Sequence, residues 1–153
     1  MNYDDKLEEL FIDLPEPPSE IGCAKGAVSV GKTLYVGGAL PLAEGRIQYP
    51  GRAGVEVKLD NARMAARAAG VMALSIARKE LGGSLNGIRR VVRVDGFVAS
   101  GADFRDHAKV VDGAGELFVQ VFGVNGKHVR NAVGCSSLPA NACVELSVIF
   151  EVK

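Results

Sequence analysis

Apolar and polar residues alternate with a period of two along two stretches in the last quarter of the chain. In the stretch from 142 to 151 the apolar positions fill one whole face, made of Ala142, Val144, Leu146, Val148 and Phe150. In the stretch from 129 to 135 one face carries Arg130, Ala132 and Gly134. Successive side chains of a strand point to opposite faces, so both stretches are predicted to be β-strands.

Two longer stretches repeat their apolar residues every three or four positions, which is typical of amphipathic helices. The first runs from about Asp60 to Leu81, with Asp60 or Asn61 predicted to cap its start. Its apolar stripe is rich in alanine and includes Gly70, where we expect a tight contact with another element. The second helix is predicted over roughly Lys109 to Phe122, with the apolar face Val111, Ala114, Leu117, Phe118 and Val121.

The remaining strands are predicted nearer the start of the chain. Residues 27–36 have the pattern of a hairpin whose two-residue turn is Gly31-Lys32. A further strand is predicted over Arg89–Val98, with Val92 and Val94 on one face and Val91 and Arg93 on the other. Residues 42–54 contain glycine, proline and charge without a period, so we interpret them as a loop.

The predicted elements follow one another in the order β-β-α-β-α-β-β. This order indicates a single α+β domain, with one mixed sheet and both helices packed on one of its faces. The other face is predicted to be too apolar for water, and to include the charged residues Arg93, Asp95, Arg130 and Glu145. Burial of that face against identical subunits would satisfy both properties.

The first twenty residues have a composition of their own. Asp4–Phe11 could form one or two helical turns with Leu7, Leu10 and Phe11 as the apolar side, and three prolines follow within residues 15–18. We interpret residues 1–20 as an arm and residues 21–153 as the domain. The arm could lie over the domain or over a neighbouring subunit, or it could be a loose terminus.

Composition excludes several classes of function. Eighteen basic and eighteen acidic residues cancel, so the basic surface expected of a nucleic-acid-binding protein is missing. The three cysteines and the absence of a signal-peptide pattern favour reduced thiols in a cytoplasmic protein. No stretch is apolar enough to span a membrane, and two histidines without a ligand motif make a metal site improbable.

The two final strands also carry the candidate chemistry. If they pair as neighbours, Arg130 and Glu145 can lie close together beside the small residues Ala132 and Gly134. Arginine binds a carboxylate with two parallel hydrogen bonds, and a carboxylate can orient or deprotonate a water. The alternative is an ordinary ion pair between strands, which would contribute ~0.2–1 kcal/mol to stability.

The stretch RNAVGCSSLP, from Arg130 to Pro139, followed by VELSVIFE, from Val144 to Glu151, resembles the C-terminal signature of the Rid (YjgF) family of reactive-intermediate deaminases. The resemblance extends from about Ile21 to the end of the chain, and the N-terminal arm resembles that of a longer-armed branch. The family has a chorismate-mutase-like α+β fold, forms homotrimers with ligand pockets between subunits, and uses no cofactor.

The resemblance implies a reaction and roles for particular residues. Family members hydrolyse 2-imino or 2-enamino acids to 2-keto acids and ammonia. Arg130 matches the arginine that binds the substrate carboxylate, and Glu145 matches the glutamate that positions or activates water. Ala132 lies where a family residue contributes backbone groups, and Gly37-Gly38 matches a segment that borders the pocket, although a bulge ending the strand is equally compatible with two glycines.

Three further candidate substrate-binding residues need separate interpretations. Cys23 stands where many members have tyrosine, and it could be a pocket thiol or simply a small apolar residue. Asp112 stands nearest to a family asparagine, and it would repel a bound carboxylate unless it were protonated or turned away. His128 would share a strand face with Arg130 and could lie at the pocket edge, or it could be a polar residue at a strand start.

Two other functions remain possible beside hydrolytic deamination. The same pocket could bind a small carboxylate metabolite without catalysis. A ribonuclease activity, a label that some family members carry, is disfavoured by the zero net charge and by the lack of an aromatic platform for bases.

Overall fold

A five-stranded sheet with helices on one face forms the centre of the protein in a computed structural model, which describes residues 2–20 and 22–153. Along the chain the helices and strands are α1 (Tyr3–Glu9), β1 (Ala27–Val30), β2 (Thr33–Ala39), β3 (Leu42–Ala43), β4 (Arg46–Ile47), α2 (Leu59–Glu80), β5 (Ile88–Ala99), α3 (His107–Phe122), β6 (Val129–Cys135) and β7 (Val144–Val152). Short 3₁₀ turns lie at Gly123–Gly126 and Pro139–Asn141. The predicted α+β class is confirmed.

The order of strands across the sheet is β1-β2-β7-β5-β6. Only β5 and β6 run parallel, because α3 connects them as a crossover, and the other neighbours are antiparallel. Helices α2 and α3 pack against each other and against the same face of the sheet. Their alanine-rich and valine-rich sides bury the apolar residues of β2, β5 and β7.

The assumption that the two final strands pair as neighbours is wrong. Strand β7 pairs with β2 and β5, whereas β6 pairs with the opposite side of β5, so one strand separates Arg130 from Glu145. The register also places the two residues on different faces. Arg130 pairs with the buried Val94 on the helix-covered face, and Glu145 pairs with Phe97 on the open face.

The predicted membership of the open face is therefore corrected for Arg130, which faces α3. Arg93, Asp95 and Glu145 do lie on the open face. Arg93 and Asp95 form an ion pair there at 3.1 Å, and Asn131 from β6 donates a hydrogen bond to the same carboxylate at 3.1 Å.

Strand β5 contains an irregularity that the period of two did not predict. Its register with β7 shifts between Val91 and Arg93. As a result Val91 is fully buried with Val94, while Val92 is 37% exposed, which reverses their predicted faces. One extra residue at this shift changes the alternation of faces along the twelve-residue strand. Val91 before the shift and Val94 after it therefore both face the helices.

The predicted hairpin at residues 27–36 is confirmed, with Val30 opposite Thr33 across the turn. The region interpreted as a loop, residues 42–54, instead contains the short hairpin of β3 and β4. Helix α2 begins after Lys58, which makes no side-chain capping bond, so neither predicted cap is correct. The predicted end of this helix at Leu81 and the following glycines is confirmed.

The N-terminal arm lies over the helices of its own chain. Tyr3 of α1 packs edge-on against Phe122 with ring centroids 4.7 Å apart, and Asp4 accepts hydrogen bonds from Ser84 and from the Leu85 backbone. Arg78 of α2 donates to the Leu14 carbonyl. Phe11, predicted on the apolar side of the helical turns, lies beyond the end of α1 and is 93% exposed. Ile21, where the domain was predicted to begin, lies outside the described residues.

Glycines permit the close approach of α3 to its neighbours. A Cβ at Gly96 of β5 would overlap the side chain of Val111, and a Cβ at Gly113 would overlap the backbone carbonyl of Arg63 on α2. The tight contact predicted at Gly70 is confirmed, because a Cβ there would meet Ala114 at 3.2 Å. Gly113 therefore sets the distance between α2 and α3. The position of its neighbour Asp112 in α3 depends on that distance.

We predict that Gly113→Ala destabilises the protein by about 1–3 kcal/mol in chemical denaturation, because the added methyl group forces α3 away from α2. Gly115→Ala on the same helix is the matched control. A Cβ there makes only ordinary contacts with His128, at 3.4 Å, so this variant should be neutral or up to ~1 kcal/mol more stable. Equal stabilisation by both substitutions would contradict the packing described for Gly113.

Candidate functional site

A cleft of about 770 Å³ lies between α3 and the first residues of β6. Its walls combine charged, amide and small side chains from both elements. They are Asp112, Gly115, Glu116, Val119, Gln120, Lys127, His128, Val129 and Arg130. Three residues singled out from the sequence, Asp112, His128 and Arg130, are thus brought together.

Local periodicity explains how α3 forms one wall. The apolar face of this helix packs on the sheet, and the cleft-lining positions 112, 115, 116, 119 and 120 recur at spacings of three and one on the adjacent face. Gly115 leaves space in this wall, because a side chain at this position would contact His128 and Asp112. The other wall is formed by β6 and the residues just before it, and His128 and Arg130 both line the cleft from there.

Arg130 is held by α3 through a single nitrogen. Its Nη1 donates to Oδ1 of Asp112 at 2.5 Å and to the Ala108 carbonyl at 3.4 Å. The side chains of Arg130 and Asp112 are 33% and 48% exposed. Within residues 2–20 and 22–153, no hydrogen bond engages Nε or Nη2 of this arginine. That edge has the geometry to bind a carboxylate with two parallel hydrogen bonds.

His128 is oriented by the backbone. Its Nδ1 lies 2.7 Å from the carbonyl oxygen of Gly126, which can only accept, so Nδ1 carries the proton. In the neutral ring Nε2 then has a free lone pair, and the Cε1–Nε2 edge of the ring faces Gly115 across the cleft. Phe118 packs edge-on against the ring, with centroids 6.1 Å apart. His128 can therefore offer a proton acceptor inside the cleft.

The remaining charges of the cleft have different surroundings. Glu116 is bound by Arg63 of α2 at 2.6 Å, so its charge is already compensated. Lys127 is exposed at the rim and lines both this cleft and a smaller adjoining one that includes Arg90 and Glu151. The adjoining cleft extends the site toward the first residues of β5, where Arg90 and Val92 line it.

Glu145 is half-buried on the open face, away from this cleft. Burial raises the pKa of its carboxyl group above the ordinary value of 4.5. The pKa of the Cys135 thiol is also raised, chiefly by burial. A hydrogen bond with the Ser137 backbone lowers this pKa, and the negative charge of Glu145 raises it further. Glu145 and Cys135 therefore belong to one environment, which is separate from that of Arg130 within the chain.

The other predicted site residues do not line the cleft. Ala132 lies two residues beyond Arg130 and packs half-buried against the core. Gly37 and Gly38 lie on β2, on the far side of β7 and β5, and the register shift between Val36 and Ala39 makes them a β-bulge. Cys23 is exposed before β1. Two strands, β7 and β5, separate Gly37 and Gly38 from Arg130, so their contact with a ligand at Arg130 would need a second chain.

The sequence interpretation missed Lys127, Glu116 and Gln120. The helical spacing from Asp112 to Glu116 and Gln120 was visible, because these residues lie four apart on one side of a predicted helix. Lys127 follows from its position next to His128 at the start of a strand. What could not be recognised is that this side of the helix faces β6 rather than solvent.

Across the described parts of the chain, no three His, Cys, Asp or Glu side chains gather as a metal-binding group. None of the helices in those parts is both long and apolar enough to cross a lipid bilayer.

A family model described as "YjgF/chorismate_mutase-like, putative endoribonuclease" matches residues 5–152, so the chain belongs to the YjgF/Rid family. This confirms the resemblance found in the segment from Arg130 to Glu151. The match covers the arm from α1 as well as the sheet and both long helices.

Individual relatives agree with this assignment. The chain is 33% identical to Protein TCP17 of Trypanosoma cruzi over 148 residues, which is 96% of this chain and 92% of that protein. It is similar to the crystal structure of Atu1372 from Agrobacterium tumefaciens, a protein of unknown function, with 37% identity, coverage of 98% and 91% of the two chains, and a TM-score of 0.90. RidA from an Antarctic Psychrobacter is 26% identical, with coverage of 90% and 94% and a TM-score of 0.57.

We predict that Glu145→Gln stabilises the protein relative to wild type at pH 7 more than at pH 4. Because the pKa of Glu145 is raised, the folded chain binds this proton more tightly than the unfolded chain. The contribution of this group to stability therefore falls as pH rises from 4.5 through the raised pKa. Melting temperatures measured across this range test the prediction. Glu80→Gln, an exposed helix residue, is the control and should show no such trend.

We also predict that thiol reagents discriminate the cysteines. Cys143 is buried and its pKa is raised to about 11, so it should react only after unfolding. Cys23 is exposed and should account for the fast phase with a chromogenic disulfide at pH 8, with Cys135 reacting more slowly. The fast phase should disappear in Cys23→Ser, and its persistence there would contradict the assignment of this phase to Cys23.

Proposed function

We propose that the protein binds a small 2-imino or 2-enamino acid at Arg130 and hydrolyses it to the 2-keto acid and ammonia. The observation that carries this proposal is the unengaged Nε–Nη2 edge of Arg130 on a cleft of about 770 Å³. A carboxylate bound there would receive two charge-assisted hydrogen bonds and would fix the orientation of the adjacent C=N carbon.

The chemistry asks little of the protein. Water adds to the C=N carbon as the π electrons move to nitrogen, which takes up a proton. The resulting carbinolamine loses ammonia as its hydroxyl proton is transferred and the C=O bond forms. His128 supports this reaction, because in the neutral ring its Nε2 has a lone pair that can accept the proton of the attacking water within the cleft. No cofactor or metal is required in this proposal.

Glu145 is proposed to position water, as its match in the family implies. Because it lies on the other face of the sheet, this role requires that the open face of a second chain approach the cleft. We therefore propose a homotrimer with sites between subunits. Exposed apolar residues on the open face support this proposal, among them Tyr35 and Val133. We further propose that the protein acts on a small molecule in the cytoplasm and binds neither nucleic acid nor membrane.

A second candidate function is binding of a small carboxylate metabolite without catalysis. One observation favours it: among the described residues that line the cleft, the carboxylates are Asp112 and Glu116, both of which contact an arginine, and Glu145 is elsewhere. Under this alternative a 2-keto acid binds as the final ligand and not as a product. The alternative shares the role of Arg130 and omits the water-activating groups.

We predict that Arg130→Ala lowers imine hydrolysis by about 10–100-fold, because charge-assisted hydrogen bonds to the substrate are lost. An amino-acid oxidase generates the imine, and semicarbazide traps whatever the protein has not hydrolysed, so activity appears as reduced semicarbazone formation. Arg130→Lys keeps the charge without the planar fork and should retain an intermediate rate.

Arg89→Ala is the matched control, since Arg89 is an exposed strand arginine outside the cleft, and it should leave the rate unchanged. No acceleration by the wild type with any amino acid tried would exclude deamination. Binding of 2-keto acids in a thermal-shift assay, lost in Arg130→Ala, would then support the binding function. An activity that Arg130→Ala leaves intact would contradict both functions.

A further inference from the structure

An exposed phenylalanine follows helix α1 at a position where glycine is the usual residue. The Ile12 N–H donates to the Leu7 carbonyl at 2.9 Å. The Phe11 N–H donates to the Glu8 carbonyl at 3.1 Å. Together these bonds form a Schellman motif, in which the residue after the C-cap is left-handed. Phe11 is that residue, with a φ of 55°, and a side chain at this φ strains the backbone.

Contacts within the chain do not explain why this residue is phenylalanine. Leu10 and Ile12 on either side pack against the core, whereas Phe11 between them points outward and is 93% exposed. None of the aromatic pairs in the described part of the chain includes Phe11. The ring thus combines backbone strain with an exposed apolar surface, which indicates that it packs against another chain.

The surroundings of Phe11 are strongly acidic. Residues 1–20 contain seven acidic residues and one basic residue, which gives this segment a net charge of −6. The rest of the chain carries +6, because the whole chain has a net charge of zero. Glu8, Glu9 and Asp13, which flank the ring in the sequence, are exposed. A surface that receives the ring is therefore expected to be an apolar depression bordered by positive groups.

The adjoining cleft beside the first residues of β5 has an apolar lining of this kind. It has a volume of about 550 Å³. Val92 of β5 and Val129 of β6 line it, and both side chains are exposed. An aromatic ring packed between these valines would cover apolar surface that is in contact with water in the single chain.

The charges of the adjoining cleft are complementary to those of the arm. Arg90 and Lys127 line the cleft, and neither forms a salt bridge within residues 2–20 and 22–153. Glu151, the acid in the lining, is already paired with Arg89 at 3.3 Å. Two positive groups of the cleft are therefore left for acidic side chains from outside the chain.

The arm and the adjoining cleft lie at the same end of the fold. Helix α1 is bound to the turn that leads into β5, where the Leu85 N–H donates to Asp4 at 2.9 Å. Tyr3 packs on Phe122, the last residue of α3. The cleft is built where β5 and β6 begin, at this same end. Two copies related by a two-fold axis can therefore exchange both contacts in one interface.

We infer that Phe11 of one copy inserts into the adjoining cleft of a second copy, and that the second copy does the same to the first. The ring packs against Val92 and Val129, and the acidic side chains of the arm lie beside Arg90 and Lys127. The partner is thus a second copy of this chain, selected by an aromatic anchor and by opposite charge.

The contact would also affect the candidate site. Lys127, His128 and Val129 line both clefts, so the arm of the second copy borders the cleft that contains Arg130. The inference does not depend on the proposed reaction, because neither the arm nor the adjoining cleft contains Arg130.

A fluorescent reporter tests the insertion directly. The chain contains no tryptophan, so Phe11→Trp introduces a single indole at the position of the anchor. An indole packed in an apolar cleft emits at a shorter wavelength than an indole in water. The emission should be blue-shifted in concentrated protein and should move to the red on dilution, as the copies separate. An emission typical of water at every concentration overturns the inference.

A matched pair of valine substitutions locates the contact. In the Phe11→Trp background, Val129→Asp adds a charge to the adjoining cleft, and concentrated protein should then emit like an indole in water. Val124→Asp is the control, because Val124 is exposed just after α3 and lines neither cleft, so the emission should not change. Equal emission from the two variants overturns the inference. Arg90→Glu replaces Val129→Asp should the latter not fold.

The variant Phe11→Gly separates the contact from folding. Glycine suits the left-handed conformation, so the midpoint of chemical denaturation in dilute protein should be unchanged or raised. The molar mass of concentrated protein, measured by light scattering, should fall to half, because a two-fold contact joins two equal units. A clearly lowered midpoint means that the ring stabilises its own chain, and an unchanged mass means that no second copy holds it. Either result overturns the inference.

Discussion

The parallel pairing of β5 with β6 under helix α3 is the constraint on which the candidate site depends. It makes β6 an edge strand and turns Arg130 toward the helix, where Asp112 meets its Nη1 at 2.5 Å. The close approach of α3 is possible because Gly96 and Gly113 have no side chain at the two points of contact. A wider spacing would separate the guanidinium from the carboxylate, and the cleft would lose the ion pair that defines its chemistry.

The two faces of the sheet separate the candidate site residues within one chain. Arg130, His128 and Asp112 gather on the helix-covered side, whereas Glu145 lies half-buried on the open side with a raised pKa. Burial of this carboxyl group raises its pKa, so it keeps its proton to a higher pH than an exposed glutamate does. The proposed assembly of several chains reconciles this separation with a single site, because the open face of one chain can approach the cleft of another.

Local residue patterns carry some features of this fold and not others. The strands, the two long helices and the α+β class were predictable because burial of one face imposes a local period on the residues themselves. The register shift in β5 at Val91 was not, since it depends on pairing with the distant strand β7. The hairpin at residues 42–47 was missed because its strands have two residues each, too few to show a period. The start of α2 after Lys58 was missed because no capping side chain marks it. Family membership was predictable because the residue order from Arg130 to Glu151 is specific.

The sequence by itself determined the periods of the apolar residues in the strands and helices, and the glycines that follow the two long helices. It also indicated that His128 and Arg130, two residues apart, lie on the same side of the chain. Only the tertiary structure decided that β5 lies between β6 and β7, so that Arg130 and Glu145 point away from each other. The reason is that strand order is chosen by how helices and strands of the whole chain pack together. No local pattern of residues records which strands become neighbours.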